Sequence, residues 1–359
     1  MDQQYTRRLE KIEAALEHWL TENPGPVLTE GIFPGLGKTL NAESWQALTA
    51  PGRDLLSRGG KRWRPLLMTL VCETLGGANA ALPLVPLVEF CHNASLIHDD
   101  IEDDSDERRG KPAAHLVHGV DAAINGGCFL YFLSLSCIDS WAAEFDAGEY
   151  KSRMYALWAG YIRKLHLGQA MDISWHRNFS LIPAEEEYYT MCGLKTGCLA
   201  RFAAVLGVCA AEAAAKGKGG VYAALAERFG EAAEKLGIGF QILDDVKNLT
   251  TGIPGKKRGD DVVEGKKSLP VLLYLRRYPE RRELAARCFT AAHSGGTTAP
   301  EVEELIRVLE AAGVLAEAEE KGKNLIAEAR RIFAAPPAVP FPLHGEGISL
   351  LADLADLIS

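Results

Sequence analysis

The sequence predicts an all-α protein that forms one large domain, and three observations support this prediction. Apolar residues recur at intervals of three and four positions through nearly every long segment, which is the period of an α-helix. No segment shows the alternation of apolar and polar residues that is typical of a β-strand. The periodic segments are separated by short clusters of glycine and proline, none of which resembles a flexible linker between domains.

The individual elements follow from this pattern in chain order. Residues 4–20 place charged and apolar residues at helical spacing and predict the first helix. A loop is expected over 21–44, where Pro24, Pro26 and Pro34 interrupt regular structure. The following helices are predicted at 44–57, 63–76, 82–104, 121–141, 149–174, 184–191, 194–212, 219–249, 267–276, 300–312, 314–334 and 346–357.

The composition indicates a cytoplasmic protein that has no nucleic-acid partner and no transmembrane segment. The 359 residues are 47% hydrophobic, and a formal net charge of −9 leaves no basic surplus for the phosphates of a nucleic acid. The uncharged run between Asp121 and Asp139 falls short of a membrane span, and the N-terminal residues lack the apolar block of a signal peptide. Eight cysteines without a CxxC pair are expected to be free thiols in a reducing compartment.

An acidic face is predicted at the end of the helix 82–104. His92, Ser95, Asp99 and Asp103 are spaced three, four and four residues apart and therefore share one side of that helix. Like charges four residues apart destabilise a helix unless a cation binds between them, although many acidic helix ends are simply solvated. A bound cation would balance this charge.

A second acidic motif makes the cation hypothesis stronger. Gln241, Asp244 and Asn248 share one face of an otherwise apolar helix, and Asp245 lies beside Asp244. Two such motifs on two amphipathic helices suggest that the carboxylates surround one cavity. Carboxylate oxygens without histidine or cysteine suit Mg²⁺ better than zinc or copper, and Mg²⁺ completes its shell with phosphate oxygens. The sequence therefore predicts a phosphorylated substrate.

Basic residues near glycines suggest where its phosphates would bind. Arg108 and Arg109 follow the first acidic helix directly, while "GGKRWRP" at 59–65 places three cations just before a helix start. Further cations are supplied by "LKTG" at 194–197 and by the glycine-rich stretch 254–268, which is expected to close as a lid. These residues predict two anion sites, one held through metal ions and one held directly.

Together these motifs resemble those of the trans-isoprenyl diphosphate synthases, or polyprenyl synthetases, and are closest to the eukaryotic-type geranylgeranyl diphosphate synthases. The first motif of that family, DDxxD followed by RRGxPxxH, is matched by Asp99, Asp100, Asp103, Arg108, Arg109, Gly110, Pro112 and His115. The second is matched by Asp244, Asp245 and Asn248, with asparagine in place of the last aspartate. The resemblance covers about residues 50–275, while 1–45 and 280–359 carry no signature and are expected to be peripheral.

The resemblance implies an antiparallel helical bundle with a deep central cavity, the isoprenoid synthase fold, and a homodimer. It implies three Mg²⁺ ions per active site, replaceable by Mn²⁺, with the ligands Asp99, Asp100, Asp103, Asp244, Asp245 and Asn248. The allylic diphosphate would be held by Arg108, Lys195, Thr196, Gln241, either Lys256 or Lys257, and Lys266. Isopentenyl diphosphate would be held by Lys61, Arg64, His92 and Arg109.

The reaction that the resemblance implies joins a dimethylallyl, geranyl or farnesyl diphosphate to isopentenyl diphosphate. Ionisation of the allylic diphosphate gives a carbocation, the double bond of isopentenyl diphosphate attacks it, and loss of a proton restores an allylic product. The catalytic set is Asp99, Asp100, Asp103, Asp244, Asp245 and Lys195. Dipoles at Lys195, Thr196 and Gln241 would steady the cation.

Product length is predicted from the side chains that a growing prenyl chain would meet. Ala94 and Ser95, one turn before Asp99, are small and leave the channel open beyond fifteen carbons. The resemblance places the floor of the channel at the bulky residues Tyr131, Phe132 and His166. A C20 product, geranylgeranyl diphosphate, is therefore expected.

Two other functions remain open at this point. Class I terpene cyclases ionise the same diphosphates, but they normally carry one DDxxD motif and need no second diphosphate site. A silent subunit of a hetero-oligomeric synthase would tend to lose an aspartate motif, whereas both are present here. The set Lys61, Arg64 and His92 favours coupling of two diphosphates over either alternative.

Overall fold

Regular structure in the computed structural model, which describes residues 3–36, 39–217, 220–252 and 257–358, is almost entirely helical. The helices are α1 (Gln3–Trp19), α2 (Pro26–Ile32), α3 (Ala42–Ser57), α4 (Trp63–Thr74), α5 (Val85–Glu102), α6 (Ala114–His118), α7 (Val120–Leu133), α8 (Ser136–Glu144), α9 (Lys151–His176), α10 (Glu185–Cys192), α11 (Cys198–Ala214), α12 (Gly220–Thr250), α13 (Asp260–Glu264), α14 (Leu269–Arg277), α15 (Arg282–Gly295), α16 (Pro300–Ala311), α17 (Val314–Ala334) and α18 (Gly345–Ile358). Two short strands, β1 (Glu107–Arg108) and β2 (Lys111–Pro112), pair antiparallel. The all-α prediction is confirmed.

The structure departs from the predicted elements in several places, and two of these departures have local causes. The expected loop 21–44 contains α2, because Pro26 lies in the first turn of a helix, where its missing N–H is not needed. The predicted helix 121–141 is two helices, α7 and α8. Helix α15 was not predicted, because its buried side has only one large side chain, Phe289, beside the small residues Ala285, Cys288 and Ala292.

The chain divides into two compact units, and each is described by itself. The first unit comprises Met1–Gly160, Phe202–Gly230 and Phe333–Leu354. The second comprises Tyr161–Arg201, Glu231–Ile332 and Ala355–Ser359. The expectation of a single domain stays a prediction.

Helix α5 is the central element of the first unit. It packs against α3, α4 and α7, and side chains such as Leu87, Val88 and Phe90 are fully buried. The C-terminal end of α5 carries the first aspartate motif. A buried helix therefore presents this motif from a fixed position.

The second unit has its own core, formed around α14, α15 and α16. Leu273, Phe289, Leu305 and Leu309 are among its fully buried members. The second half of α12 contributes Ile242 and Leu249 to the same core. Because the second aspartate motif lies between these two residues, core packing fixes its orientation as well.

Two helical stretches are long and apolar enough to cross a membrane by length and composition alone. These are Val120–Glu144, with 50% of its most apolar window buried inside the protein, and Glu185–Ala214, with 89% buried. Burial to the second extent is typical of a core helix.

Candidate active site

The acidic end of α5 is covered by the β1–β2 hairpin. Arg109 and Gly110 form its two-residue turn with φ angles of 54° and 74°, the left-handed conformation that such turns require at both positions. The hairpin brings Arg108 back to the acids, where its Nε donates to Asp100 Oδ1 at 2.8 Å and its Nη2 lies 3.4 Å from Asp99 Oδ2. Arg108 therefore neutralises part of the charge that the sequence concentrates here.

The donor atoms at this end of α5 suit a divalent metal. Asp99 and Asp103 are both half-buried, and the Asp103 N–H donates to the Asp99 carbonyl at 2.8 Å. Within the described ranges, no three or more His, Cys, Asp or Glu side chains converge to form a metal cage. Mg²⁺ commonly binds through one or two carboxylates and completes its shell with water and phosphate. Two hard oxygen donors one helical turn apart fit that open kind of site.

A group of cationic side chains lies in the same unit. Arg64 is buried, stacks 4.4 Å from the centre of the Trp63 ring, and has its Nη1 3.3 Å from His92 Nε2. Burial, together with the Arg64 charge, holds the pKa of His92 well below its usual range, so the imidazole is neutral. Because arginine can only donate, Nε2 is the acceptor and the His92 proton is on Nδ1. Lys61, two residues after Gly59, is exposed.

Arg109 is held by the backbone around this cationic group. Its Nη1 donates to the carbonyls of Leu55, at 3.0 Å, and Gly59, and it lies 3.4 Å from Asn93 Oδ1. Burial and the nearby charges of other arginines lower the pKa of Arg109 to about 10. The first unit thus places Arg64 beside His92 and holds Arg109 against the backbone at Gly59, two residues before the exposed Lys61. Their predicted contact with isopentenyl diphosphate stays a prediction.

In the second unit, three backbone segments approach closely enough to exclude a β-carbon. A Cβ at Gly168 of α9 would collide with the backbone N of Lys195, and one at Gly237 of α12 would lie 2.8 Å from Gly197 Cα. Gly193–Gly197 form a π-helical turn, a feature often found at functional sites. The two glycines thus hold this turn against α9 and α12.

This packing places the polar residues of the π-helical turn beside those of the neighbouring helices. Lys195 Nζ donates to Asp172 Oδ2 at 2.6 Å, and Thr196 Oγ1 donates to Gln241 Oε1 at 2.9 Å. Thr196 is buried and Gln241 is half-buried. Their predicted contact with an allylic diphosphate stays a prediction, and the bonds seen here show how each is oriented.

Asp245 is supported from two sides within the second unit. Tyr188 Oη donates to its Oδ2 at 2.6 Å, and Gln241 Nε2 donates to its Oδ1 at 2.9 Å. Burial raises the pKa of Asp245, and the two hydrogen bonds oppose that rise by favouring the carboxylate. Asp244 is half-buried, so it is the more accessible carboxylate of this motif.

Asn248, the last residue of the second aspartate motif, is held by contacts within the second unit. It is fully buried, its Oδ1 accepts the Asp261 N–H at 3.1 Å, and its backbone carbonyl accepts the Gly259 N–H at 2.9 Å. Its Nδ2 finds no hydrogen-bond partner in the described part of the chain. These two bonds show that Asn248 anchors the start of α13, while its predicted role as a metal ligand stays a prediction.

The basic stretch after α12 is only partly described. Lys256 lies outside the described residues, and the Lys257 N–H donates to Asp260 Oδ2 at 2.6 Å. Lys266 Nζ forms an ion pair with Glu264 and lies 4.0 Å from Asp261 Oδ1. Two carboxylates therefore orient Lys266, while the predicted lid motion stays a prediction.

The residues that were predicted to set the length of the product differ in how far they are buried. Ser95 is half-buried, whereas Ala94 is fully buried, so of these two small residues only Ser95 is partly accessible. Tyr131 is buried, with its ring 5.9 Å from that of His98. Phe132 is 64% exposed on the surface of the first unit, so it is not a floor residue in the single chain. His166, in the second unit, is exposed.

Two residues of the second unit were missed from the sequence. Tyr188 was not predicted because its partner, Asp245, is 57 residues away along the chain. Lys267 was noted only as one of several basic residues, although the structure buries it. The short polar segment around Tyr188 gave no signal that one of its tyrosines is fully enclosed.

Comparison with known proteins gives a consistent result. Residues 45–308 match the model of the family described as polyprenyl synthetase. The chain is 31% identical over 316 residues to a geranylfarnesyl diphosphate synthase of Aeropyrum pernix, covering 87% of this chain and 93% of that protein. It is 35% identical over 234 residues to a geranylgeranyl pyrophosphate synthase of Eremothecium gossypii, covering 64% and 70%.

Solved structures show the same similarity. A geranylgeranyl pyrophosphate synthetase from the archaeon Geoglobus acetivorans superposes with a TM-score of 0.73 and 26% identity, covering 98% of each chain.

Proposed function

The chain belongs to the polyprenyl synthetase family, and on that premise we propose that it joins an allylic diphosphate to isopentenyl diphosphate and releases geranylgeranyl diphosphate. It is a transferase that elongates prenyl chains. The observation that carries the proposal is that each unit combines an aspartate motif with its own cations. Those cations are Lys61, Arg64 and Arg109 in the first unit and Lys195 and Lys266 in the second.

These two sets of cations support separate diphosphate sites. Neutral His92 can join Arg64 and Lys61 in binding a diphosphate group that is retained during the reaction, because no additional negative charge develops on that group. Lys195 and Lys266 are held by carboxylates, so each is oriented before a substrate arrives. Oriented ammonium groups stabilise negative charge on a departing diphosphate without reorganising during the reaction. We therefore assign isopentenyl diphosphate to the first set and the allylic diphosphate to the second.

Divalent metal belongs to this proposal because the donor atoms fit it. We propose Mg²⁺, three ions per active site with Mn²⁺ as a substitute, at Asp99 and Asp103 in one unit and at Asp244 in the other. When bound, the metal would neutralise the charge of the leaving diphosphate. Asp100 and Asp245 would support these ligands, since Arg108 holds the first and Tyr188 and Gln241 hold the second.

Product length is the part of the proposal that a single assay decides. With Mg²⁺, farnesyl diphosphate and labelled isopentenyl diphosphate, we expect a C20 alcohol after dephosphorylation and chromatography. Tyr131→Ala should shift the product to C25 or longer, because it empties buried volume beside α5. Val27→Ala is the control and should leave the C20 product unchanged, since Val27 is exposed and lies outside the apolar surface of α6 and α7.

Other products would contradict the proposal in distinct ways. A C25 product from the wild type would indicate the product specificity for which the Aeropyrum pernix relative is named. A hydrocarbon would indicate a cyclase, and a complete lack of turnover would indicate a silent subunit. An unchanged product in Tyr131→Ala would show that another residue limits the chain.

We also propose that the protein is a cytoplasmic homodimer. Large apolar side chains are exposed together on α6 and α7, namely Leu116, Val117, Val120, Ile124 and Phe132. Contiguous exposed apolar residues are typical of an interaction surface, and a second copy is the partner that the family resemblance implies. The eight cysteines are all free, and seven are buried, which supports a reducing compartment.

The dimer is tested by the mass of the protein in solution. Light scattering should give twice the mass of one chain for the wild type and the mass of one chain for Ile124→Glu, which places a charge on the apolar surface. Val27→Glu alters an exposed valine elsewhere in the first unit and should remain dimeric. A monomeric wild type, or a dimeric Ile124→Glu, would refute this interface.

A further inference from the structure

The second unit contains a lysine in an unusual setting. The Lys267 side chain is 3% exposed, and its Nζ donates to the carbonyls of Gly265 at 2.6 Å and Trp175 at 3.1 Å. The same atom lies 4.4 Å from the centre of the Phe289 ring and 5.7 Å from that of Phe179. Among the described residues, no carboxylate lies within 4.0 Å of it to form an ion pair.

This arrangement is costly for stability. Burial lowers the pKa of Lys267 to about 8, although the more distant charge of Asp172 opposes that change. Since this value lies below that of an exposed lysine, folding disfavours the charged form, and the cost persists at neutral pH until the pH rises toward 10.5. An apolar side chain of similar length would fill the space between the two rings at lower cost. The lysine therefore does something that packing alone does not require.

The bonds of Lys267 join the start of α14 to the end of α9. Trp175 is next to the last residue of α9, and its carbonyl also accepts the Asn178 N–H at 3.3 Å. Carbonyls at the C-terminal end of a helix carry partial negative charge, which favours a nearby ammonium group. Gly265 has a φ of 76° and lies so close to α9 that a Cβ there would be 2.9 Å from the His176 carbonyl. The turn that contains Lys266 is thus held against α9 by the ammonium group of its next neighbour.

Helix α9 also orients the other cation of this site. Asp172, one turn before His176, accepts the Lys195 ammonium at 2.6 Å. Both Lys195 and Lys266 lie near enough to His176 to add to the lowering of its pKa, after the larger effect of burial. Contacts with the end of α9 therefore help to position both Lys195 and Lys266.

We propose that Lys267 is a positioning residue: by tying the turn at Gly265 to the end of α9, it fixes Lys266 relative to Lys195, so that both ammonium groups contact one allylic diphosphate. This inference rests on the proposed function of the site. Lys267 itself contacts no substrate, since its three protons are directed at two carbonyls and an aromatic face.

The test separates positioning from simple support of the fold. Lys267→Met should not lower the thermal unfolding midpoint at pH 7, because it removes a buried charge. It should nevertheless raise the KM for farnesyl diphosphate about tenfold, the scale of one misplaced charged contact, with the KM for isopentenyl diphosphate unchanged. Lys323→Met alters an exposed lysine of the same unit and should change neither constant.

A double-mutant cycle asks whether the effect passes through Lys266. In a Lys266→Met background, adding Lys267→Met should raise the KM for farnesyl diphosphate by less than twofold, because the residue being positioned is absent. Full additivity, an unchanged KM in Lys267→Met, or an equal rise in both KM values would each overturn the inference. If Lys267→Met does not fold, Lys267→Gln, which keeps two donors to the carbonyls, should fold and behave like the wild type in the cycle.

Binding of inorganic pyrophosphate with Mg²⁺, measured by calorimetry, keeps this test independent of turnover. About tenfold weaker binding to Lys267→Met than to the wild type is expected, and equal binding would refute the positioning role. If the wild type elongates prenyl chains but Lys267→Met binds and reacts normally, the inference alone fails. If the wild type does not elongate them, the proposed function fails, and the calorimetric comparison still decides the role of Lys267.

Discussion

Replacing Asp99 by alanine is expected to lower turnover about a thousandfold, the scale that follows loss of a principal charge-stabilising group at a reacting centre. Asp99 is half-buried at the end of α5, one helical turn before Asp103. Removing it also leaves Arg108 with fewer anionic partners. The measurement is single-turnover formation of labelled product at saturating substrates, so that binding and reaction are separated.

Two variants make this prediction specific. Asp99→Asn keeps the shape but not the charge, and it should lose nearly as much activity as alanine. Asp104→Asn is the control: Asp104 is exposed with a φ of 52°, a conformation that asparagine tolerates, and its activity should be unchanged. Activity of Asp99→Ala within tenfold of the wild type, or activity that survives chelation of all divalent metal, would contradict the metal-assisted reaction.

Asp244→Ala is expected to have a loss of similar size, whereas the neighbouring motif residue Asn248 should behave quite differently. Asp244 is the accessible carboxylate of the second motif, while Asn248 holds the start of α13. If Asn248 were a metal ligand, Asn248→Asp would preserve or strengthen Mg²⁺ dependence. Here it would instead bury a negative charge beside Asp261, so we expect a lower unfolding midpoint and no gain in apparent Mg²⁺ affinity.

Activity is measured as a function of Mg²⁺ concentration for Asp244→Ala and Asn248→Asp, and the thermal unfolding midpoint of each is determined. Together these measurements show whether each residue acts on metal binding or on stability. Asp244→Ala should unfold at a temperature close to that of the wild type, because its carboxylate is partly solvated. A variant Asn248→Asp that binds Mg²⁺ more tightly at unchanged stability would restore asparagine to the ligand set. Tyr188 and Gln241 would then have to be reconsidered as supports of the whole motif.

The sequence predicted what depends on neighbours along the chain. Asp99 and Asp103 share a helix face because they are four residues apart, and the structure keeps them there. Arg108 was expected near the acids because it follows them closely, and its bond to Asp100 agrees. The all-α class followed from the helical period alone.

Contacts between distant segments could not be predicted in this way. Lys267 bonds to a carbonyl 92 residues earlier, and no local pattern distinguishes it from the solvated lysines around it. Asn248 was assigned by its place in a motif, but only the structure shows that its side chain is fully buried. Phe132 was assigned to the channel floor by the resemblance, but only the structure shows that its side of α7 faces outward.

The close packing at Gly168 and Gly237 bears on how the enzyme can be altered by design. Because main-chain atoms meet there, the location of Lys195 is a property of the scaffold and not of any exchangeable side chain. A library that varies residue 195 would present different side chains from the same backbone position. A side chain at residue 168 would displace the backbone at residue 195. Most variants at 168 would therefore lose activity, whatever side chain they carry at 195.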